Sequence, residues 1–158
     1  MRNALTYLFL LVAVPFAGAQ QSTNQKRPFT VQLSIVTASL HREMFRRNGE
    51  FVVHAKITNV SGKNQTITLW SQPGWSWLSD NPVIHPNISG QQNVSWTRVL
   101  EPGEAYNERI GVSFYPRAQT STTFRLAFFP SAKLPISGRP NEIPRDQLSW
   151  SNAVTLTP

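Results

Sequence analysis

Apolar residues recurring at every second position, in run after run, set the strongest limit on what this chain can fold into. Phe51, Val53, Ala55 and Ile57 alternate with Val52, His54, Lys56 and Thr58, the period that gives a strand one buried and one wet face. Phe29, Val31, Leu33 and Ile35 repeat the pattern, as do Ile67 with Leu69, Ile110 with Val112 and Phe114, and Phe124 with Leu126 and Phe128. No stretch of comparable length carries a 3.6-residue period, and β-branched and aromatic residues dominate the runs. The spacing predicts strands over 29–35, 51–58, 65–70, 94–100, 105–115, 121–129 and 150–156.

The breaks between runs carry turn chemistry. Asn59-Val60-Ser61-Gly62 separates the second and third runs, which suggests a hairpin. Glu101-Pro102-Gly103-Glu104 suits a type II turn, since proline sets one φ and glycine accepts the positive one. Seven short strands in a domain of this size point to an all-β, immunoglobulin-like two-sheet sandwich. The chain has no cysteine, so the inter-sheet disulfide of antibody domains is excluded and the aromatic core must fill its place. The segment from Thr58 to Leu69, followed by Leu100-Glu101-Pro102-Gly103-Glu104-Ala105-Tyr106, resembles bacterial immunoglobulin-like accessory domains such as the intracellular proteinase inhibitor-like family. Phe124-Arg125-Leu126-Ala127-Phe128 and Trp150-Ser151-Asn152-Ala153-Val154 are similar to segments of uncharacterised exported bacterial proteins. The resemblance implies the sandwich and, as one functional expectation, a protease-inhibitor-like module. It carries over no site residue.

Residues 1–19 read as a cleavable export signal, with Arg2 as the positive start, an apolar stretch from Leu5 to Phe16, and Ala17-Gly18-Ala19 as the small-x-small cleavage pattern. The apolar stretch falls short of the about 20 residues a spanning helix needs, so the mature chain is expected to lack a membrane anchor. Without a cysteine it also lacks the attachment point for a lipid. A polar tail over 20–28 and one sandwich domain over 29–158 would remain, in the periplasm or outside a bacterial cell. The chain carries 15 Lys+Arg against 8 Asp+Glu. These basic residues are scattered, apart from His41-Arg42 and Arg46-Arg47, and build no nucleic-acid footprint.

Catalytic constellations are absent from the pattern. His41, His54 and His85 are not at metal-ligand spacing, no Gly-x-Ser-x-Gly elbow marks a serine, and no glycine-rich phosphate loop opens a helix. No metal, cofactor or catalytic residue is therefore expected; a hydrolase using His85 with Asp80 or a remote acid is the remaining enzymatic alternative. Glu101 and Glu104 read as solvated turn acids. Glu108 shares the alternation of Ile110 and Val112, so it is either at a strand end or a buried anomaly, with Arg98 and Arg125 as candidate neutralising partners. Asn59, Asn64, Asn87 and Asn93 each begin an Asn-x-Ser/Thr sequon.

Two long connectors hold the candidate contact residues. Residues 71–93 bring Trp75, Trp77, Asp80 and Asn81 near Trp70; indole faces can stack on a sugar ring or a partner side chain, or can close an open end of the sandwich. Residues 130–149 contain Pro130, Pro135, Pro140 and Pro144 among Lys133, Arg139 and Arg145, a stiff basic loop where recognition surfaces are often built. An extra strand near residues 82–85 would bring the start of the Trp-bearing connector beside the Pro-rich one. The resulting expectation is an exported, non-enzymatic domain that contacts a protein or glycan through its end loops.

Overall fold

The computed structural model describes residues 27–41, 43, 45, 49–88, 94–115, 121–130 and 147–157. The leader, most of the polar tail, Arg46-Arg47, the Asn93 sequon, and Lys133, Arg139 and Arg145 lie outside them.

The described residues form an all-β sandwich. Its first layer is antiparallel throughout and places side by side, in this order, β1 (Phe29–Ile35), β2 (Glu50–Asn59), β7 (Ala105–Phe114) and β5 (Ile84–Pro86). The alternation read from the sequence sorts the two faces as expected. Phe29, Val31 and Leu33 are buried with Phe51, Val53, Ala55, Ile57, Ile110, Val112 and Phe114, while Thr30, Gln32, Ser34, His54 and Lys56 face out.

The second layer is built from shorter ladders: β3 (Gln65–Trp70) with β6 (Ser95–Leu100), β4 (Trp77–Ser79) with β9 (Leu126–Phe128) and β10 (Ser149–Trp150), and β8 (Thr122–Phe124) with β11 (Val154–Leu156). β3 and β4 are one interrupted course along the β9 side: Thr68 donates its N–H to the Pro130 carbonyl and Phe129 donates to that of Ser76. Residues 71–76 loop out between them, with a 3-10 turn at Pro73–Ser76. The long connector read between the third and fourth strands thus holds two strands, β4 and β5. β5 is the extra strand anticipated near residues 82–85.

The expected sixth and seventh strands are each broken once. Arg125 interrupts the sixth, because its main chain and side chain both turn to Asp80. Residues 151–153 interrupt the seventh, because Asn152 leaves the ladder to serve β1. Its Oδ1 accepts the Leu33 N–H at 2.7 Å and its Nδ2 donates to the Leu33 carbonyl at 3.1 Å. With the parallel bridge Val31–Ser151, this amide stitches the β1 flank of the sandwich shut.

Aromatic edges take the place of a disulfide between the layers. Phe29 meets Phe128, and Phe51 meets Phe124, with ring centroids 6.0 Å apart and steep interplanar angles in both pairs, the edge-to-face geometry that adds about 0.5–1.5 kcal/mol beyond burial. Asn59, fully buried, ties the layers at one end. Its Nδ2 donates to Lys63 O at 2.9 Å and to Leu100 O at 2.8 Å, and its Oδ1 accepts from both the N–H and the hydroxyl of Ser61. That amide nitrogen has no room for a glycan in the folded chain. Gly103 takes φ +81° in the turn after Leu100, as the Pro-Gly pair requires, and its N–H reaches the Asn59 carbonyl.

Candidate functional site

The three clustered tryptophans separate into two roles. Trp70 ends β3 on the parity of Thr66 and Thr68, away from the buried Ile67 and Leu69. Pro73 then starts the 3-10 turn, where a missing N–H costs nothing. Gly74 packs directly on the Asn87 main chain, in a space that any Cβ would fill. That close approach fixes the turn and carries Trp75 back over Trp70, with centroids 6.3 Å apart and planes tilted by 34°. Trp75 Nε1 donates to Gln72 Oε1 at 3.3 Å. Both indoles are half-buried and pack on each other where the β3–β4 course is interrupted.

Trp77 points the other way. It is 2 % exposed, packs on Phe128 at 5.3 Å and donates Nε1–H to Glu108 Oε2 at 2.9 Å. Trp77 is therefore a core residue, not a contact residue. A strand of three residues is too short for its alternation to show in the sequence. The expected partners of Glu108 are corrected by the same contact: Arg98 pairs with Glu104 at 2.9 Å and lies over the Tyr106 ring, and Arg125 pairs with Asp80 at 2.7 Å and lies over Trp150.

Asp80 and Asn81 are brackets. Asp80 accepts the Arg125 N–H on one oxygen and its guanidinium on the other. Asn81 donates to Thr123 O and accepts the Val83 N–H. These bonds bind the β4–β5 turn to β8, which uses both residues structurally and gives Asp80 to Arg125 rather than to His85. His54 and His85 are exposed on β2 and β5 of the first layer, and no group of three metal-ligating side chains occurs among the described residues. No helix among them is long and apolar enough to cross a membrane.

What the strands do bring together is the start of the two long connectors. Thr68, Ser76, Phe129 and Pro130 share main-chain hydrogen bonds, so the Trp70–Trp75 pair stands where the Pro-rich segment begins. A cleft of about 220 Å³ lined by Pro28, Phe29, Phe129, Pro130 and Gln147 shares Phe129 and Pro130 with these bonds but no residue of the Trp-bearing loop. Among the described residues, Trp70 Nε1 and Ser76 Oγ are buried without a hydrogen-bond partner. A larger, open hollow of about 520 Å³ lies on the outer face of the first layer, lined by Gln32, Ser34, His54, Lys56, Asn107 and Asn152. It offers amides and cations but no aromatic face.

Electrostatics single out two carboxylates. The Glu101 main-chain N–H and then the Arg98 guanidinium hold exposed Glu104 below the usual carboxylate range. Burial pushes Glu108 above it, against the opposing pull of the Trp77 N–H. The folded state then holds the Glu108 proton more tightly than the unfolded chain does. Stability contributed by Glu108 is accordingly full below the unfolded pKa near 4.5 and falls as pH rises through the folded value, each pH unit between the two values being worth about 1.4 kcal/mol. Glu108→Gln keeps an acceptor for Trp77 and removes the titration. Urea midpoints measured across about pH 4 to 8 should fall more steeply for the wild type than for the variant; parallel profiles would disprove it.

One strand escapes the alternation of buried faces. β6 is exposed along its whole length except Leu100, with Trp96 at 48 % and Val99 at 52 %. The sequence does hold a signal for it: Trp96 and Val99 fall on opposite parities, so one face alone cannot bury both.

Fold and site together define an immunoglobulin-like sandwich domain with a pair of indoles packed on each other where the β3–β4 course loops out. No protein-family model and no curated protein matches the sequence. Among solved structures, the crystal structure of a FixG-related protein from Vibrio parahaemolyticus is similar, at TM-score 0.44 and 14% identity, covering 82% of this chain and 95% of that one.

Proposed function

We propose that this chain is an exported, non-enzymatic binding domain that contacts a protein or glycan partner through the Trp70–Trp75 pair and the loop that carries it. The observation that carries the reading is the division among the tryptophans. Trp77 is spent on the core, whereas Trp70 and Trp75 pack on each other, half-exposed, where the chain loops out between β3 and β4. Large rigid rings with a polar tip supply contact area at little conformational cost, which suits them to binding surfaces.

The test is a glycan array and a pull-down from the source organism's envelope, run with wild type and with a Trp70→Ala, Trp75→Ala double variant. Binding by the wild type and at least a tenfold loss in the variant, with unchanged far-UV circular dichroism, is the expected result. A wild type that captures nothing the variant fails to capture would rule the indole surface out.

A further inference from the structure

β6 is an edge strand built to receive a neighbour. Among the described residues it pairs only with β3, and Ser95 to Val99 are all exposed. The direction of its free hydrogen-bonding groups follows from the ladder. Ser71 donates to the Val94 carbonyl, so Val94, Trp96 and Arg98 turn their main-chain groups toward β3, and Ser95, Thr97 and Val99 turn theirs away. Thr68, of the alternate set on β3, agrees by donating in the opposite direction to Pro130.

We infer that β6 pairs antiparallel with β6 of a second copy of this chain, about a two-fold axis through Thr97. The register is set by two observations. Only an axis at Thr97 uses every outward group of the strand, pairing Ser95 with the partner's Val99 and Thr97 with the partner's Thr97. The same axis places Trp96 directly opposite the partner's Arg98, in the closer, non-hydrogen-bonded type of pair, where a guanidinium meets an indole face. An axis one residue later opposes two Arg98 guanidiniums, and one residue earlier it leaves Arg98 opposite Val94. Charge permits the approach. Arg98 is the strand's only charged residue, and it is already balanced by Glu104 of its own chain. The inference stands apart from the indole site, because Trp70 and Trp75 lie on the layer's outer face and the contact runs along its edge.

Four variants test it, each judged beside far-UV circular dichroism. Thr97→Pro removes an N–H that points away from β3, so the fold's own ladder is kept while the outer one is blocked. Trp96→Arg sets like charges opposite each other. Thr97→Cys exploits the cysteine-free chain: residues facing each other across such a pair have Cα atoms about 5.5 Å apart, within disulfide reach. In sedimentation velocity the purified wild type is expected to dimerise with rising concentration, and the first two variants to weaken this at least tenfold. Mild oxidation should cross-link Thr97→Cys but not Ser95→Cys, which faces Val99. A wild type that stays monomeric, or equal cross-linking of the two cysteine variants, would overturn the two-fold pairing.

Discussion

Asn59→Ala is expected to cost about 2–3 kcal/mol. Alanine removes both donors and the acceptor at once. The buried Leu100 carbonyl and the part-buried Ser61 N–H then lose the bond from Asn59, at about 1–3 kcal/mol for a buried group left unpaired, while the Lys63 carbonyl keeps the Ser61 hydroxyl. The position also has no slack, since Asn59 is fully buried where β2 ends and the turn after β6 returns. Asn59→Asp is expected to do little better, because it keeps the acceptor but sets a carboxylate against two carbonyls. Urea unfolding measures both; a loss below about 1 kcal/mol for the alanine variant would show that water replaces the side chain.

Trp77→Ala is expected to cost about 3–5 kcal/mol from the cavity alone, with a further loss because Glu108 keeps its burial and loses its hydrogen-bond donor. Trp75→Ala, by contrast, removes a half-buried ring packed on another end-loop ring and should cost about 1 kcal/mol. Two residues apart, these tryptophans would behave as core and surface. Comparing their denaturant midpoints decides whether Trp77 is read correctly, and equal losses would return it to the surface group. Trp77→Phe should separate the two contributions, since it keeps most of the volume and drops only the donor.

The parts of the fold that were legible are those fixed by neighbours in sequence. β2 showed its buried set because four alternations in succession leave no other face to bury, and Pro102-Gly103 announced its turn because φ alone selects those residues. The rest depends on partners far along the chain. Nothing near Arg125 says that the strand breaks there; the cause is Asp80, 45 positions away. Asn152 reads as an ordinary polar residue until Leu33, 119 positions away, supplies its partner. For Glu108 the burial was visible in the alternation, but the donor was not, because charge led toward arginines and the structure uses an indole. Among the site residues, the Trp70–Trp75 stack needs the Gly74 approach to Asn87, which only the fold creates.

The amide of Asn152 has one last consequence. By filling the two main-chain positions that Leu33 would otherwise offer to a passing strand, it closes the β1 edge at that point against strand addition. A β6 edge that meets β6 of a second copy about a two-fold axis uses the same surface on both partners, so the pair is complete and does not lengthen into a fibre.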